Sequence, residues 1–534
     1  MSARPPVELR SLLVIANRVH TLAGAVPGEP VPTAVLVRDG IVAAVGEAAA
    51  LRSMASDARV LELPGAALTP GLIDAHIHLS EWALARREVD LSAATSPEAA
   101  AALVVRHAES VRAEWVRGRG WNPHRWGGDY PDRQVLDRLL PDRPVLLQSH
   151  DMHALWVNTP TLRRARIQAD TPDPEGGHIV RDRAGAPTGV LLENAAQLVA
   201  RCLPAVTSDE TADAVTDAQT ELHTLGITSV HTLPAIHVME PEPLGVLEAL
   251  RARGRLRLRV FQHIPLRQLD EAIRIGLRSG FGGEWIRVGG VKMFLDGALG
   301  SRTAWMSEPY EGTESRGIQV LDAGEFRYHV KRAARAGIAT TVHAIGDAAV
   351  ARALDVLADP DVRVPGMPHR IEHVQCLPEG RSGDAARADL TCSMQPAHLI
   401  TDWRIVDRHW GRRGARTYAF RTLLDAGARL AFGSDAPVEP ADPRLGLYAA
   451  TTRMDLDAAP AGGWYGDERL TIEEAFLGYT RWAAAAAAGP GGVLAPGEPA
   501  DIVAWQPDPF RAQGEELLRL RCIATIVAGE IVRS

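Results

Sequence analysis

Residues 71 to 80 read GLIDAHIHLS: an apolar pair, Leu72 and Ile73, then Asp74 and Ala75, then His76 and His78. On a β-strand, residues i and i+2 point to the same side. If this stretch is a strand end, both imidazoles project into one space. Two neutral imidazoles at that spacing make half a site for a borderline-soft divalent cation. The same residues also suit a polar strand end with two solvated histidines, and the pair alone favours that plainer role. The rest of the chain decides between them.

Downstream, apolar β-branched runs recur, each followed by a helical pattern. They are ITSVHTL at 227–233, RLRVFQHI at 257–264, IRVGGVKMFLDG at 286–297, IATTVHAIGD at 338–347, HRIEHVQC at 369–376, LTCSMQPAH at 390–398 and RLAFGSDAP at 429–437. Intervening segments such as DEAIRIGLRSG, EFRYHVKRAARAG and YAFRTLLDAG read as helices that stop near glycine. With GLIDAHIH this makes eight β/α units, the pattern of an α/β fold closed as a (β/α)8 barrel over 68–490. Chemistry in that fold sits at the C-terminal ends of the strands.

Both termini look different. AVLVRDGIVAAVG, residues 34–46, places Asp39-Gly40 between two apolar segments, a strong hairpin signal. CIATIVAGEIVRS, residues 522–534, reads as a closing hairpin around Gly529. Residues 1–67 and 491–534 are therefore expected to form one small β-sandwich domain built from both ends. The gap between His78 and Ile227 is far longer than one crossover helix needs. An inserted subdomain over 95–208 is expected to cap the barrel mouth. It carries GRGWNPHRWGGDYPDR and PVLLQSHDMHALWVN.

The chain has 534 residues, 46% hydrophobic and 23% charged, an ordinary globular composition. A net charge of -8 argues against a nucleic-acid backbone as partner. Cys202, Cys376, Cys392 and Cys522 lack paired spacing, which fits a reducing compartment. The N-terminal apolar run is short for a secretory leader, and no run is long enough to span a bilayer. The expectation is a cytoplasmic protein acting on a small molecule, with neither nucleic acid nor membrane as partner; a homodimer is compatible with it.

Polar residues gather at the expected strand ends: His76 and His78 on strand one, Lys292 on four, His343 on five, His373 on six and Asp435 on eight. Each has a plain alternative. Lys292 could snorkel, His373 could be a satisfied core histidine, and Asp435 could cap a helix. Six such coincidences at one end of one barrel are hard to maintain.

This constellation resembles the amidohydrolase superfamily and, within it, the large family 3 branch that includes N-substituted formamide deformylase. GLIDAHIHL, VKMFLDGALGSRTAW, TVHAIGDAAV, RIEHVQ, SMQPAH and FGSDAPV carry the resemblance. It implies that His76, His78 and Asp435 hold one divalent metal and that His343 and His373 hold a second. Lys292, carboxylated on its amine, would bridge the two, since an ammonium has no acceptor. One or two ions are expected, zinc being the first choice for such nitrogen and oxygen ligands. A metal-bound hydroxide would attack the carbonyl of an amide, with an N-formyl or N-acyl group in view. Asp435 would move the proton to the leaving nitrogen. Ester, lactone or carbamate hydrolysis on the same site stays open, as does a non-catalytic metal-binding barrel. Substrate contacts are expected from His150, His153 and Trp121 in the insertion and from His398 and Asp402 after strand seven. Trp121, Trp126 and Trp156 equally suit the insertion's own core. Asp296, Arg302 and Asp347 are candidates for supporting the ligands.

Overall fold

The apolar runs become eight parallel strands of one sheet in the computed structural model, which describes residues 11–24, 31–110, 114–127, 130–149, 154–174, 177–204, 206–234, 243–300 and 302–534. The barrel strands are Leu72–Ile77, Ile227–Thr232, Arg259–Pro265, Ile286–Phe294, Thr340–Ala344, Arg370–His373, Thr391–Met394 and Arg429–Phe432. Each pairs in parallel with its successor in this order. Strands one, six and seven are buried at every residue. A parallel sheet is covered on both faces, which is why these runs read as continuously apolar rather than alternating.

The seam between strands one and eight is closed without a ladder among the described residues. The Asp435 N–H donates to the His76 carbonyl at 2.7 Å and the His78 N–H to Ala436 at 2.9 Å. The buried Asp74 carboxylate accepts from Ser434 Oγ at 2.6 Å, from Ser434 N at 3.0 Å and from His76 N at 3.1 Å. Gly433 lets the strands approach this closely, since a Cβ there would lie 2.3 Å from the His76 nitrogen. Thus the residues that bring His76 and Asp435 together are the ones that close the barrel.

The surrounding helices follow from local signals. Ala323–Arg335 starts at Asp322, whose carboxylate accepts from the N–H groups of Gly324 and Glu325. It buries Phe326, Val330 and Ala333 on one stripe. Gly337, at φ +74°, ends the segment in the left-handed conformation that glycine adopts without cost.

Both termini build one small β domain, as expected: its seven strands share one continuous ladder, and the two ends of that ladder face each other across a common core in which Val35 and Val37 pack with Ala524 and Ile526. The long strand Arg59–Pro70 is the reason. It pairs in parallel with Ser11–Val19 on one edge and antiparallel with Ile502–Gln506 on the other, so the two terminal contributions share one ladder. The hairpins turn where read: Asp39 and Gly40 have φ of 50° and 78°, and Ala528 and Gly529 have 48° and 75°. Positive φ at both central residues matches the twist of the flanking strands.

The inserted unit spans Ala83–Glu210, a compact unit of its own. Its six-stranded sheet begins with the edge strand Val89–Asp90, paired to Val116–Trp121. Trp121 is fully buried there, stacked on Trp126 at 5.9 Å and edge-on to Trp156 at 6.3 Å. Its indole N–H donates to the Leu147 carbonyl at 2.9 Å. Trp121 is thus a core residue of the insertion and offers no surface to a substrate. Among the described residues no helix is long and apolar enough to cross a membrane.

Candidate metal centre

His76 and His78 leave strand one with both rings directed to the same side, and a left-handed turn at Asp435 (φ 62°) brings its carboxylate between them. Asp435 Oδ1 lies 3.2 Å from His76 Nε2 and 3.3 Å from His78 Nε2. His373 ends strand six at φ 72°, which places its ring 4.9 Å from that of His76 and 4.6 Å from that of His343. Non-glycine residues rarely occupy this region, and such backbone clusters at functional sites. His76, His373 and Asp435 each offer a ligand atom within 4.8 Å of the others.

The tautomers follow from the partners. The Nδ1 of His76 meets Glu372 Oε2 at 2.6 Å, and the Nδ1 of His78 meets the Pro234 carbonyl at 2.8 Å. Carboxylate and carbonyl oxygens only accept, so both Nδ1 atoms carry a proton, and in the neutral imidazole each Nε2 then presents a lone pair. His343 is reversed: its Nε2 donates to the Gly297 carbonyl at 2.9 Å, leaving Nδ1 as the free acceptor. His76 Nε2 is buried and makes no hydrogen bond. A lone pair stranded beside a carboxylate and a second imidazole suits a bound cation, and the donor set of nitrogen and carboxylate oxygen suits zinc.

Electrostatics agree with ligand use. Burial lowers His343 to about 3 and holds His373 well below its usual range, so both are neutral at physiological pH. Burial pushes the Asp435 carboxyl up, but the imidazoles of His76, His78 and His373 around it outweigh burial and hold it well below its usual range, so it is ionised. Lys292, 3% exposed on strand four, has its amine 4.8 Å from the Phe294 ring centre. Burial brings it down to about 8, against the pull of Glu372 and Asp435. A buried ammonium without a close counter-ion is costly.

His398 opens the helix His398–His409, with Nε2 3.7 Å from Asp435 Oδ2 and no hydrogen-bond partner. Asp402 is a step back: Oδ2 accepts from Gln375 at 2.7 Å and Tyr418 at 2.6 Å. Asp296 accepts from the N–H groups of Trp305, Ile345 and Gly346 and stands 3.5 Å from His343. Asp347 holds Ser307, and Arg302 is exposed. His150 and His153 lie outside the described residues. Three residues at the site escaped the sequence reading: Asp74, Arg370 and Glu372. Their signal was present, since charges inside strands that must be buried on both faces need a partner.

The profile of the amidohydrolase family matches residues 59–533. A Bacillus subtilis (strain 168) protein that carries the name amidohydrolase YtcJ is 32% identical over 508 residues, covering 93% of this chain and 95% of its own. The N-substituted formamide deformylase of Arthrobacter pascens is 29% identical over 557 residues, covering 98% of both. Among solved structures, an uncharacterised metal-dependent hydrolase from Pyrococcus horikoshii OT3 superposes with a TM-score of 0.79 at 27% identity, over 94% of this chain and 98% of that one.

Proposed function

Because this chain belongs to the amidohydrolase family, we propose that it is a metal-dependent hydrolase that cleaves the carbon–nitrogen bond of a non-peptide amide. The observation that carries this is the unpartnered Nε2 of His76, buried within ligand distance of His373 and Asp435. His76, His78 and Asp435 would hold one ion, and His343 and His373 a second. Lys292 would join them as a carbamate. An amine near 8 leaves roughly a tenth of the group neutral at pH 7, the form that takes up carbon dioxide.

A bound divalent ion supplies Lewis acidity and an acidified water. Asp435, ionised and close to both Nε2 atoms, accepts a proton as water adds to the amide carbonyl. It then returns the proton to the departing nitrogen, and the products are a carboxylic acid and an amine. His398, with Nε2 3.7 Å from the second oxygen of Asp435, would meet the substrate's polar end. The Arthrobacter pascens relative, matched over 98% of its length, acts by its name on N-substituted formamides, so small N-formyl and N-acyl amines are the substrates to try first.

The test is elemental analysis of protein purified without chelator, followed by a screen of N-formyl and N-acyl amines beside matched esters and lactones. One to two ions per chain and amide turnover abolished by chelation are expected. Fewer than one ion after zinc or manganese supplementation, or turnover confined to the esters, would refute the reading.

A further inference from the structure

The interior of this barrel is polar just where barrels of this kind are filled with branched apolar side chains. Arg370 and Glu372 sit two residues apart on strand six, buried at 1% and 0% exposure. Arg370 spends its guanidinium on four other groups. Its Nε donates to Glu372 Oε1 at 2.9 Å, and Nη1 meets the Nδ1 of His231 at 2.8 Å. Nη2 donates to the Ala75 carbonyl at 2.6 Å and to Ser393 Oγ at 2.9 Å, with a longer contact of 3.3 Å to Glu372 Oε2. One side chain therefore ties strand six to strands one, two and seven beneath the ligand cluster.

Glu372 passes that fixation on. Its Oε2 takes the Nδ1 proton of His76 at 2.6 Å, while Arg370 holds its other oxygen. Arg370 donates to both oxygens of Glu372, so the buried carboxylate has its counter-ion at hand. The imidazole cannot rotate without breaking a charge-assisted bond, and its Nε2 cannot take the proton while Nδ1 has an ionised acceptor.

The structure assigns to Arg370 and Glu372 a positioning role: together they lock His76 in the one tautomer and orientation that present Nε2 to a metal ion. This rests on the metal-dependent reading above. Neither residue touches the reacting atoms, and their effect runs through the affinity and geometry of the ion.

The chemistry makes a sharp distinction between two variants. In Glu372→Gln, Arg370 selects the amide oxygen for itself, which turns the NH2 group towards His76. Nδ1 must then accept, the ring proton moves to Nε2, and the metal-facing lone pair is lost. In the double variant Arg370→Met/Glu372→Leu, both charges leave together, so no unpaired ion stays buried. His76 then keeps either tautomer, without a lock.

The experiment measures zinc affinity by competition with a chromogenic chelator and the visible spectrum of the cobalt(II) form. Wild type, Glu372→Gln and the double variant are compared, with the melting temperature of each metal-free protein. Zinc affinity is expected to fall about 10–100-fold in both variants, the range found when partners of a ligating histidine are removed, with the larger loss in Glu372→Gln. The cobalt bands are expected to shift as well. A folded double variant or Glu372→Gln protein with wild-type zinc affinity and unchanged cobalt bands overturns the positioning role, whatever its melting temperature. If one variant fails to fold, the other decides on the same two readouts. A wild-type protein that takes up neither ion overturns the metal-dependent reading and, with it, this assignment.

Discussion

Replacing Asp74 probes the seam on which the candidate metal centre depends. Its carboxylate, 2% exposed, accepts three bonds from the far side of the barrel closure and from its own strand. In Asp74→Ala, the N–H groups of His76 and Ser434 and the Ser434 hydroxyl lose their acceptor. An unsatisfied buried donor costs about 1–3 kcal/mol, so the low end alone gives about 3 kcal/mol of lost stability. Asp74→Asn is different. Oδ1 accepts both backbone N–H groups, and a carboxamide oxygen at that position keeps both. Only the Ser434 Oγ bond must be rebuilt with reversed polarity, a loss of about 1 kcal/mol. Thermal unfolding of the metal-free proteins, followed by circular dichroism, should order them wild type, Asn, Ala. Zinc affinity should follow the same order, because the seam sets the approach of Asp435 to His76. Equal melting temperatures for the Asn and Ala variants would refute this account of the closure.

Further outcomes follow from single residues. Asp435→Asn should keep the fold while lowering kcat by ~10²–10⁴, the usual worth of a general base, as steady-state rates would show. Lys292→Ala should lose metal and activity together, and a short carboxylic acid added to it should restore part of both. Trp121→Ala should lower the melting temperature, by about 3–5 kcal/mol of stability for a buried tryptophan, without changing kcat/KM ratios among amides. His369 donates from Nε2 to the Val362 carbonyl at 2.7 Å and accepts the Thr340 N–H on Nδ1, and burial lowers its pKa from 6.5. The unfolded chain therefore binds the proton first, and stability falls as pH drops below 6.5; His369→Asn should flatten that acid limb of the melting profile.

The barrel was legible because parallel strands buried on both faces leave long apolar runs, and because glycine punctuates the helices between them. The proposed ligands stand out in the sequence for a related reason: His76, His78, His343, His373, Lys292 and Asp435 are polar residues at or near the ends of those runs. What supports them was not. Asp74 acts across a seam between residues 360 positions apart, and Arg370 reaches His231 over a separation of 139. Spacing within one strand cannot disclose such partners. The terminal sheet shows the same limit, since nothing in Arg59–Pro70 announces that it pairs on both edges. Trp121 was ambiguous for a different reason, an aromatic body being equally suited to a pocket wall and to a core.

The left-handed backbone at His373 and Asp435 narrows the alphabet from which variants at these positions can be drawn. Histidine, aspartate, asparagine and glycine tolerate that conformation, and β-branched residues do not. A saturation library selected only for soluble, folded protein should therefore already return this small set, before any activity is demanded. The proposed ligand role and the backbone shape thus constrain the same two codons. Recruiting this barrel for another ion would proceed by exchanging aspartate and histidine, not by sampling all twenty side chains.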